Sequence, residues 1–387
     1  MYGLSKFLLA LWRFSFICPV VKHRAADTYR FSRCFYMFNL IMLTVFVGQS
    51  VWAVISDVTF GRTLRIKSTT TTVVTVLQTV LMAMLCVLAV CGSAGRHETM
   101  LEIERRLRRV DKALGSLPDQ PIVRFGVMLL TCNTALYILD AYAWYRIDQP
   151  ITAYWVFYVY EHISVASLLL YAQITWCIGQ RFHRINSQIE YKLRECIKNA
   201  TKKQMNPTRQ PMVFVNNYTD INTVSIAKLQ ELHDSLCSCI KMVNDKFGWQ
   251  LFVTLFCNCV HLIVTSNLML VELFFPAEAN ANTDIYFKCI QVIWVLIHIS
   301  HLLLIVLPPS YATKKAERTA VIICKHLSMS LEQDDMKQLE MFVLQSHKEI
   351  INFSACGVMS LHRSTITTIV GTAITYLSIL IQFKNSA

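Results

Sequence analysis

Val73–Gly95, VVTVLQTVLMAMLCVLAVCGSAG, carries no charged side chain across its 23 residues. Coiled as a helix rising 1.5 Å per residue, it reaches about 35 Å. About 20 apolar residues cross the ~30 Å hydrocarbon core of a bilayer, so this stretch predicts a membrane span. Working outward, six more stretches follow. Phe35–Ile55 is also uncharged, and Ile122–Ala143 has Arg124 near one end and Asp140 near the other. Thr152–Gly179 holds one acid, Glu161, and Trp249–Leu273 is uncharged until Glu272. Tyr286–Leu307 carries only Lys288 and stops at Pro308-Pro309, and Ser364–Phe383 is uncharged. The composition agrees. Of 387 residues 54% are hydrophobic and 16% charged, too little charge to cover the surface of a soluble chain this long.

Orientation follows from Lys and Arg in alternating connections. The N-terminal arm and the second, fourth and sixth loops hold 30, and the opposite side holds 5. Basic loops stay in the cytoplasm, so the N-terminus is inside and the C-terminus outside. The net charge of +12 therefore orients the chain and implies no nucleic-acid partner. The sequons at Asn199, Asn217 and Asn352 all fall on the cytoplasmic side, and none of the 14 cysteines falls in an outer loop. Phe7–Val20 is apolar but interrupted by Arg13 and followed by no cleavage site, which predicts an amphipathic segment lying against the inner membrane surface.

The expected fold class is an all-α membrane protein with seven transmembrane helices. Residues 1–34 form a cytoplasmic segment, 35–179 carry spans one to four, and 180–248 are cytoplasmic and helical. Spans five and six occupy 249–307, a second cytoplasmic helical region 308–363, the last span 364–383, and a short outer tail 384–387. Apolar residues at helical spacing in Arg181–Ile197, Ile221–Phe247 and Lys314–Phe353 extend spans four to seven into a cytoplasmic bundle able to hold subunits together.

Ionisable groups inside a membrane are expensive, and each is a functional candidate. Glu161 and His162 lie mid-way along the fourth span, with Tyr154, Trp155, Tyr158 and Gln173 on the same helix. Asp140, Tyr142, Trp144 and Tyr145 sit where the third span meets the outside. In the sixth span Gln291, Trp294, His298 and His301 share a face. The Glu161 group reads either as an interhelical hydrogen-bond network or as a ligand pocket, and the Asp140 group either as an interfacial aromatic belt or as a pocket rim. We take Asp140, Trp144, Tyr158, Glu161, His162, Trp294 and His298 as pocket candidates. His298 and His301 have the spacing of metal ligands, but without a neighbouring carboxylate they read as a packed polar stripe, so no metal is assigned. The pairs Cys237/Cys239 and Cys257/Cys259 point to different helix faces and assign none either. His261 and Asn267 in the fifth span stay ambiguous. In the last span Thr365, Thr368, Thr372 and Thr375 form a hydroxyl stripe continued by Ile379 and Gln382, with Tyr376 and Phe383 beside it. The stripe suits tight helix packing or the lining of a pore.

Thr375-Tyr-Leu-Ser-Ile-Leu-Ile-Gln-Phe383 resembles the TYhhhhhQF signature of insect gustatory receptors, with Ser378 where an apolar residue is usual. Gly357-Val-Met-Ser-Leu361 and the Thr-rich start of the span resemble that family too. The motif covers about 30 residues, and the architecture covers the whole chain. The resemblance implies a chemosensory, ligand-gated, non-selective cation channel in the plasma membrane of sensory neurons. It also implies tetramers, homomeric or mixed with related receptors, opened by a small-molecule tastant or contact pheromone. By the motif, Gln382 and Phe383 would sit at the outer gate. Thr368, Thr372, Thr375, Tyr376 and Ile379 would line or support the pore. The sugar-receptor branch usually has Glu where this chain has Leu377, a departure that weighs against a sugar ligand. No cofactor is implied, and no nucleophile constellation or phosphate-binding loop suggests an enzyme. The alternative is a G-protein-coupled receptor, whose opposite orientation the charge count opposes.

Overall fold

The computed structural model describes residues 10, 12–23, 28–60, 69–115, 120–146, 151–205, 224–274, 285–327, 333–348 and 351–386. Eight helices among them make the body: α1 (Arg33–Phe60), α2 (Thr69–Leu114), α3 (Gln120–Arg146), α4 (Ile151–Met205), α5 (Ile226–Phe274), α6 (Ile285–Leu327), α7 (Gln333–Lys348) and α8 (Arg363–Ser386). Helices α1 to α6 are each long and apolar enough to cross a membrane. The seventh expected span is α8, 24 residues long. Trp144, Tyr154 and Phe383 have side chains outside the described ones, as do 384–387.

Helix α4 is the hub. An 18-residue window of its Trp155–Lys198 stretch is 89% buried, against 28% for the corresponding window of Arg33–Thr59 in α1. Tyr160, Ile163, Tyr171, Ile174 and Phe182 fill the core around it. The peripheral helices show the reverse pattern, with Ile41, Val45, Trp52 and Ile55 of α1 fully or largely outside. Such an apolar exterior on a helix of this length is what lipid covers.

The N-terminal segment differs in part from its expectation. Trp12, Ser15, Ile17, Cys18 and Val20 are buried, so one side of it packs into the helices while Phe14 stays 77% exposed. It wedges against α1 and α4: Asn39 Nδ2 donates to the Phe16 carbonyl at 2.9 Å, the Phe16 and Phe46 rings sit 5.8 Å apart, and Ser15 Oγ lies 3.1 Å from His162 Nε2. Phe16, at φ 62°, turns the chain back. A short hairpin then returns it to α1, with β1 (Val20–His23) antiparallel to β2 (Thr28–Phe31). Apolar surface on the packed side of this segment is better buried in a gap between helices than shared with headgroups.

Helices run beyond the bilayer as expected for α4 to α6, and α2 does so as well. At 46 residues it spans about 69 Å. Polar clamps tie these extensions together. Arg181 of α4 donates to both carboxylate oxygens of Asp111 on α2, at 3.0 and 2.7 Å. Asn186 Nδ2 donates to the Lys315 carbonyl at 2.6 Å and Asn186 Oδ1 accepts from Thr319 Oγ1 at 2.6 Å, joining α4 to α6. Beside them Trp176 stacks on Tyr311 with centroids 4.8 Å apart. These α4 contacts carry α6 unbroken through Pro308 and Pro309 to Leu327, although two missing amide donors favour a stop there. His233 of α5 lies between Phe182 and Phe342, at 5.1 and 5.4 Å, and docks α7.

Lys314–Phe353 does not form one helix. After α7 comes a hairpin, β3 (Ser354–Ala355) paired with β4 (Met359–Ser360), whose turn holds Cys356 at φ 56° and Gly357 at φ 71°. The left-handed backbone suits a glycine. Asn244 of α5 holds the entering strand of the hairpin by two bonds, donating to the Asn352 carbonyl at 2.7 Å and accepting from the Ser354 amide at 3.2 Å. Gly248 leaves room for it, since a Cβ there would lie 3.1 Å from the Cys356 nitrogen. Leu361 closes the turn by donating its amide to the Phe353 carbonyl at 2.9 Å. The last helix starts two residues later.

Candidate functional site

Two regions gather the residues singled out in the sequence. The first is a train of polar and aromatic groups buried among α3, α4, α5 and α6. Near the ends of α3 and α4 that the charge count places outside, Tyr158 donates its hydroxyl to Asp140 Oδ2 at 2.7 Å. The Tyr158 ring lies 5.5 Å from Tyr137, and Tyr137 stacks on Trp294 at 6.0 Å. Trp294 stacks in turn on His298 at 5.7 Å, and His298 meets His261 at 5.1 Å and His301 at 6.1 Å. The train ends at Glu161, whose Oε1 is 3.8 Å from His301 Nδ1. Asp140, Glu161, His298 and His301 are all buried.

Local sequence explains the convergence. Tyr158 and Glu161 are three apart on α4, and Trp294, His298 and His301 recur at three and four on α6, so each set occupies one helix face. Asn258 of α5 donates to the His298 carbonyl at 3.0 Å, a cross-helix bond that fixes α5 against α6. Tyr137 was not singled out in the sequence, although its position one turn before Asp140 put it on the same face. An uncharged aromatic in an apolar helix sends no signal of its own. His162 turns the other way, towards Ser15 and, at 6.3 Å, the Phe14 ring, so it is not part of the train. Trp155 likewise meets Phe46 of α1 at 5.9 Å. The carboxylate missing from the sequence reading of His298 and His301 is present: Glu161 arrives from α4, and one ligand atom from each of the three lies within 4.8 Å of the others.

The second region is α8. Thr365, Ile369 and Ala373, four residues apart, are buried against the rest of the chain. Thr368, Thr372, Thr375, Tyr376, Ile379 and Gln382 are exposed, with Tyr376 at 56% and Ile379 at 43%. The threonine stripe is thus split, its first member inward and the next three outward. Thr368, Thr372 and Thr375 donate their hydroxyl protons to carbonyls four residues back, at 3.1, 2.9 and 3.0 Å. Each hydroxyl oxygen remains free to accept from water or to face a permeating cation. Helix α8 therefore touches the body along one narrow ridge, by α5 and α6.

The arrangement is that of a polytopic helical receptor, with a buried polar and aromatic site in its membrane region. Residues 6–386 match the family model described as 7tm Chemosensory receptor, and the chain belongs to that family. It is 24% identical to the gustatory receptor for sugar taste 43a of Drosophila melanogaster, over 91% of this chain and 90% of that one. It is also 24% identical to the gustatory and pheromone receptor 32a of the same fly, over 74% of this chain and 62% of that one. The fold is similar to the insect olfactory receptor OR5 from Machilis hrabei, with a TM-score of 0.60 at 11% identity over 98% of this chain and 97% of that one. The same receptor in complex with eugenol gives 0.62 at 10% identity, with the same coverage. The protein is a multi-pass membrane chemoreceptor.

Proposed function

We propose that this chemoreceptor is a gustatory, ligand-gated, non-selective cation channel of sensory-neuron plasma membranes, built as a tetramer of this chain or of this chain with related receptors. The observation that carries the reading is α8. A helix that packs on the body through Thr365, Ile369 and Ala373, with Ile366 and Val370 beside them, leaves its hydroxyl and aromatic face exposed among the described residues. Around a symmetry axis that face would be shared by four copies. Thr368, Thr372 and Thr375 would line the water, Tyr376 would support the helix, and Ile379, Gln382 and Phe383 would narrow the outer end. Cytoplasmic extensions, clamped by Arg181–Asp111 and Asn186–Thr319, would hold the subunits in register.

The small molecule would enter from outside past Asp140 and Tyr158 and lie against Tyr137, Trp294 and His298. Trp144, at the rim, is a further candidate. Aromatic faces with a few fixed polar groups suit a compact organic ligand, and the eugenol complex of the structural neighbour is in keeping with one. Leu377 weighs against a sugar, and the name of the relative matched along most of its length weighs for one, so both classes enter the test. Ligand binding opens the pore only by as much as it prefers the open arrangement over the closed one.

The test is to express the chain alone and record from excised patches without GTP, under sugars, bitter alkaloids and cuticular hydrocarbons. A ligand-evoked cation current in that setting supports the channel. A response that requires GTP supports the G-protein alternative. Gln382→Ala should change gating or permeation with surface expression intact, and normal currents from a well-expressed variant count against a gate there.

A further inference from the structure

Glu161, His298 and His301 come together from two helices at the inner end of the aromatic train. Counted along their helices they lie about 15 to 24 Å from the first residues of α4 and α6, deep in the span. Three ionisable side chains at that depth are expensive unless something binds them. They do not satisfy each other: at 3.8 Å, His301 Nδ1 and Glu161 Oε1 are too far apart for a hydrogen bond. Nε2 of His301 and Nε2 of His261 are buried and have no hydrogen-bond partner.

The spacing fits a shared ion. Donors bound tetrahedrally at about 2.0–2.2 Å stand roughly 3.3–3.6 Å apart, so the His301–Glu161 pair at 3.8 Å needs a small inward movement and the wider separations, within 4.8 Å, one of about 1 Å. Two imidazoles and one carboxylate are the three-ligand set that leaves zinc a fourth position open. Imidazole nitrogen also selects against magnesium and calcium, which take oxygen. Glu161 would offset one of the two positive charges where the surroundings are apolar. His261, against the His298 ring at 5.1 Å, stands ready as a fourth donor or as a partner for a metal-bound water.

We propose that Glu161, His298 and His301 form a binding site for a zinc-class divalent ion at the base of the ligand pocket. Its open position would face the stacked Trp294 and Tyr137, so that a donor atom of a ligand in the pocket reaches the ion. The site forms the inner wall of the pocket read above. Its binding is measured without ligand or current, so its failure and the failure of the channel reading are distinguishable.

The full-length chain, purified in detergent and stripped with chelator, is titrated with Zn2+ against a chromophoric competitor and with Co2+ by absorption. The expected result is one ion per chain, with tetrahedral or five-coordinate Co2+ bands and no sulfur charge-transfer band. Glu161→Gln, His298→Ala and His301→Ala should each weaken binding at least about 100-fold, since loss of outer-shell partners alone costs 10–100-fold. His162→Ala, next to Glu161 but facing Ser15, should bind as wild type. Glu161→Gln preserves size and shape, so its elution profile serves as the folding control. No stoichiometric ion in the wild type overturns the proposal. So does equal binding by wild type and Glu161→Gln, or a sulfur band, which would place the ion at cysteines such as Cys257, whose Sγ lies against Met82.

Discussion

Gly179 sits where α4 packs tightly against α6, and replacing it tests whether that contact holds the two helices together. A Cβ at Gly179 would lie 2.7 and 2.9 Å from two ring carbons of Tyr311 and 3.0 Å from Ala312 Cα. Ordinary contact begins at 3.4 Å, so the ring must retreat by about 0.7 Å and the α6 backbone by about 0.4 Å. The ring has little freedom, because it stacks on Trp176 at 4.8 Å and lies under Lys315 Nζ at 5.5 Å. Overpacking of this kind costs ~1–3 kcal/mol, and the better helix propensity of alanine returns ~1 kcal/mol. Gly179→Ala should therefore destabilise by up to about 2 kcal/mol, and Gly179→Val, with two more carbons and less propensity gain, by more than about 3. The assay is the thermal midpoint of the detergent-solubilised chain, read by fluorescence-detected gel filtration after a temperature series. Gly179→Ala should lower the midpoint by a few degrees, and Gly179→Val should reduce folded yield. Combining Gly179→Ala with Tyr311→Leu should cost about 1 kcal/mol less than the two singles together, because the leucine removes the atoms that clash. A higher midpoint for Gly179→Ala, or strict additivity with Tyr311→Leu, refutes the close-packing argument.

Other perturbations probe the pocket, the anchor and the pore. Tyr158→Phe removes a 2.7 Å hydrogen bond to a carboxylate; such bonds contribute ~1.5–3 kcal/mol to stability, so the thermal midpoint should fall, and with Tyr158 at the rim of the proposed pocket the half-maximal ligand concentration should rise; an unchanged dose–response curve argues against a pocket here. Asp111→Asn breaks the fork with Arg181, whose side chain is 3% exposed against 21% for Asp111. Discounted for that partial exposure, the loss is about 2 kcal/mol, visible as lower thermal stability and less oligomer on gel filtration. Thr372→Cys should make the evoked current sensitive to a cationic methanethiosulfonate reagent, whereas Ile369→Cys, buried against the body, should not. Equal sensitivity of the two would contradict the assignment of faces on α8.

Where the sequence predicted structure well, the signal was one that lipid enforces. Spans such as Phe35–Ile55 and Val73–Gly95 must hide every backbone polar group within one helix, so apolar length alone reveals them. Helical periodicity put Trp294, His298 and His301 on one face because a single helix determines that relation. What periodicity does not carry is the neighbour across the gap. Glu161 beside His301, Asp140 under Tyr158 and Tyr137 between two rings are relations between helices, and one helix's spacing is silent on them. His162 shows the converse: adjacent to Glu161 in the chain, it faces the N-terminal wedge instead. The prolines at 308 and 309 read as a stop, and packing of Tyr311, Lys315 and Thr319 on α4 overrode them. The short hairpin at Ser354–Ser360 was hidden because two-residue strands give no period to detect.

That hairpin fixes how the last helix can move. Asn244 holds its entering strand by two bonds, and Thr365 Oγ1 donates to the Ser360 carbonyl at 3.0 Å, so the first turn of α8 is pinned to the inner end of α5. Beyond the pin the helix rests on the ridge of Ile369 and Ala373, with Ile366 and Val370 at its edge. The helix is thus a lever with its fulcrum at the cytoplasmic end. From Arg363 to Gln382 its arm is about 29 Å, and a tilt of about 5° swings the far tip by some 2.5 Å while the hinge stays put. In the tetramer proposed above, four such levers pivoting together would widen the aperture at their tips by roughly twice that amount, about 5 Å or nearly two water diameters, without breaking a single clamp at the base.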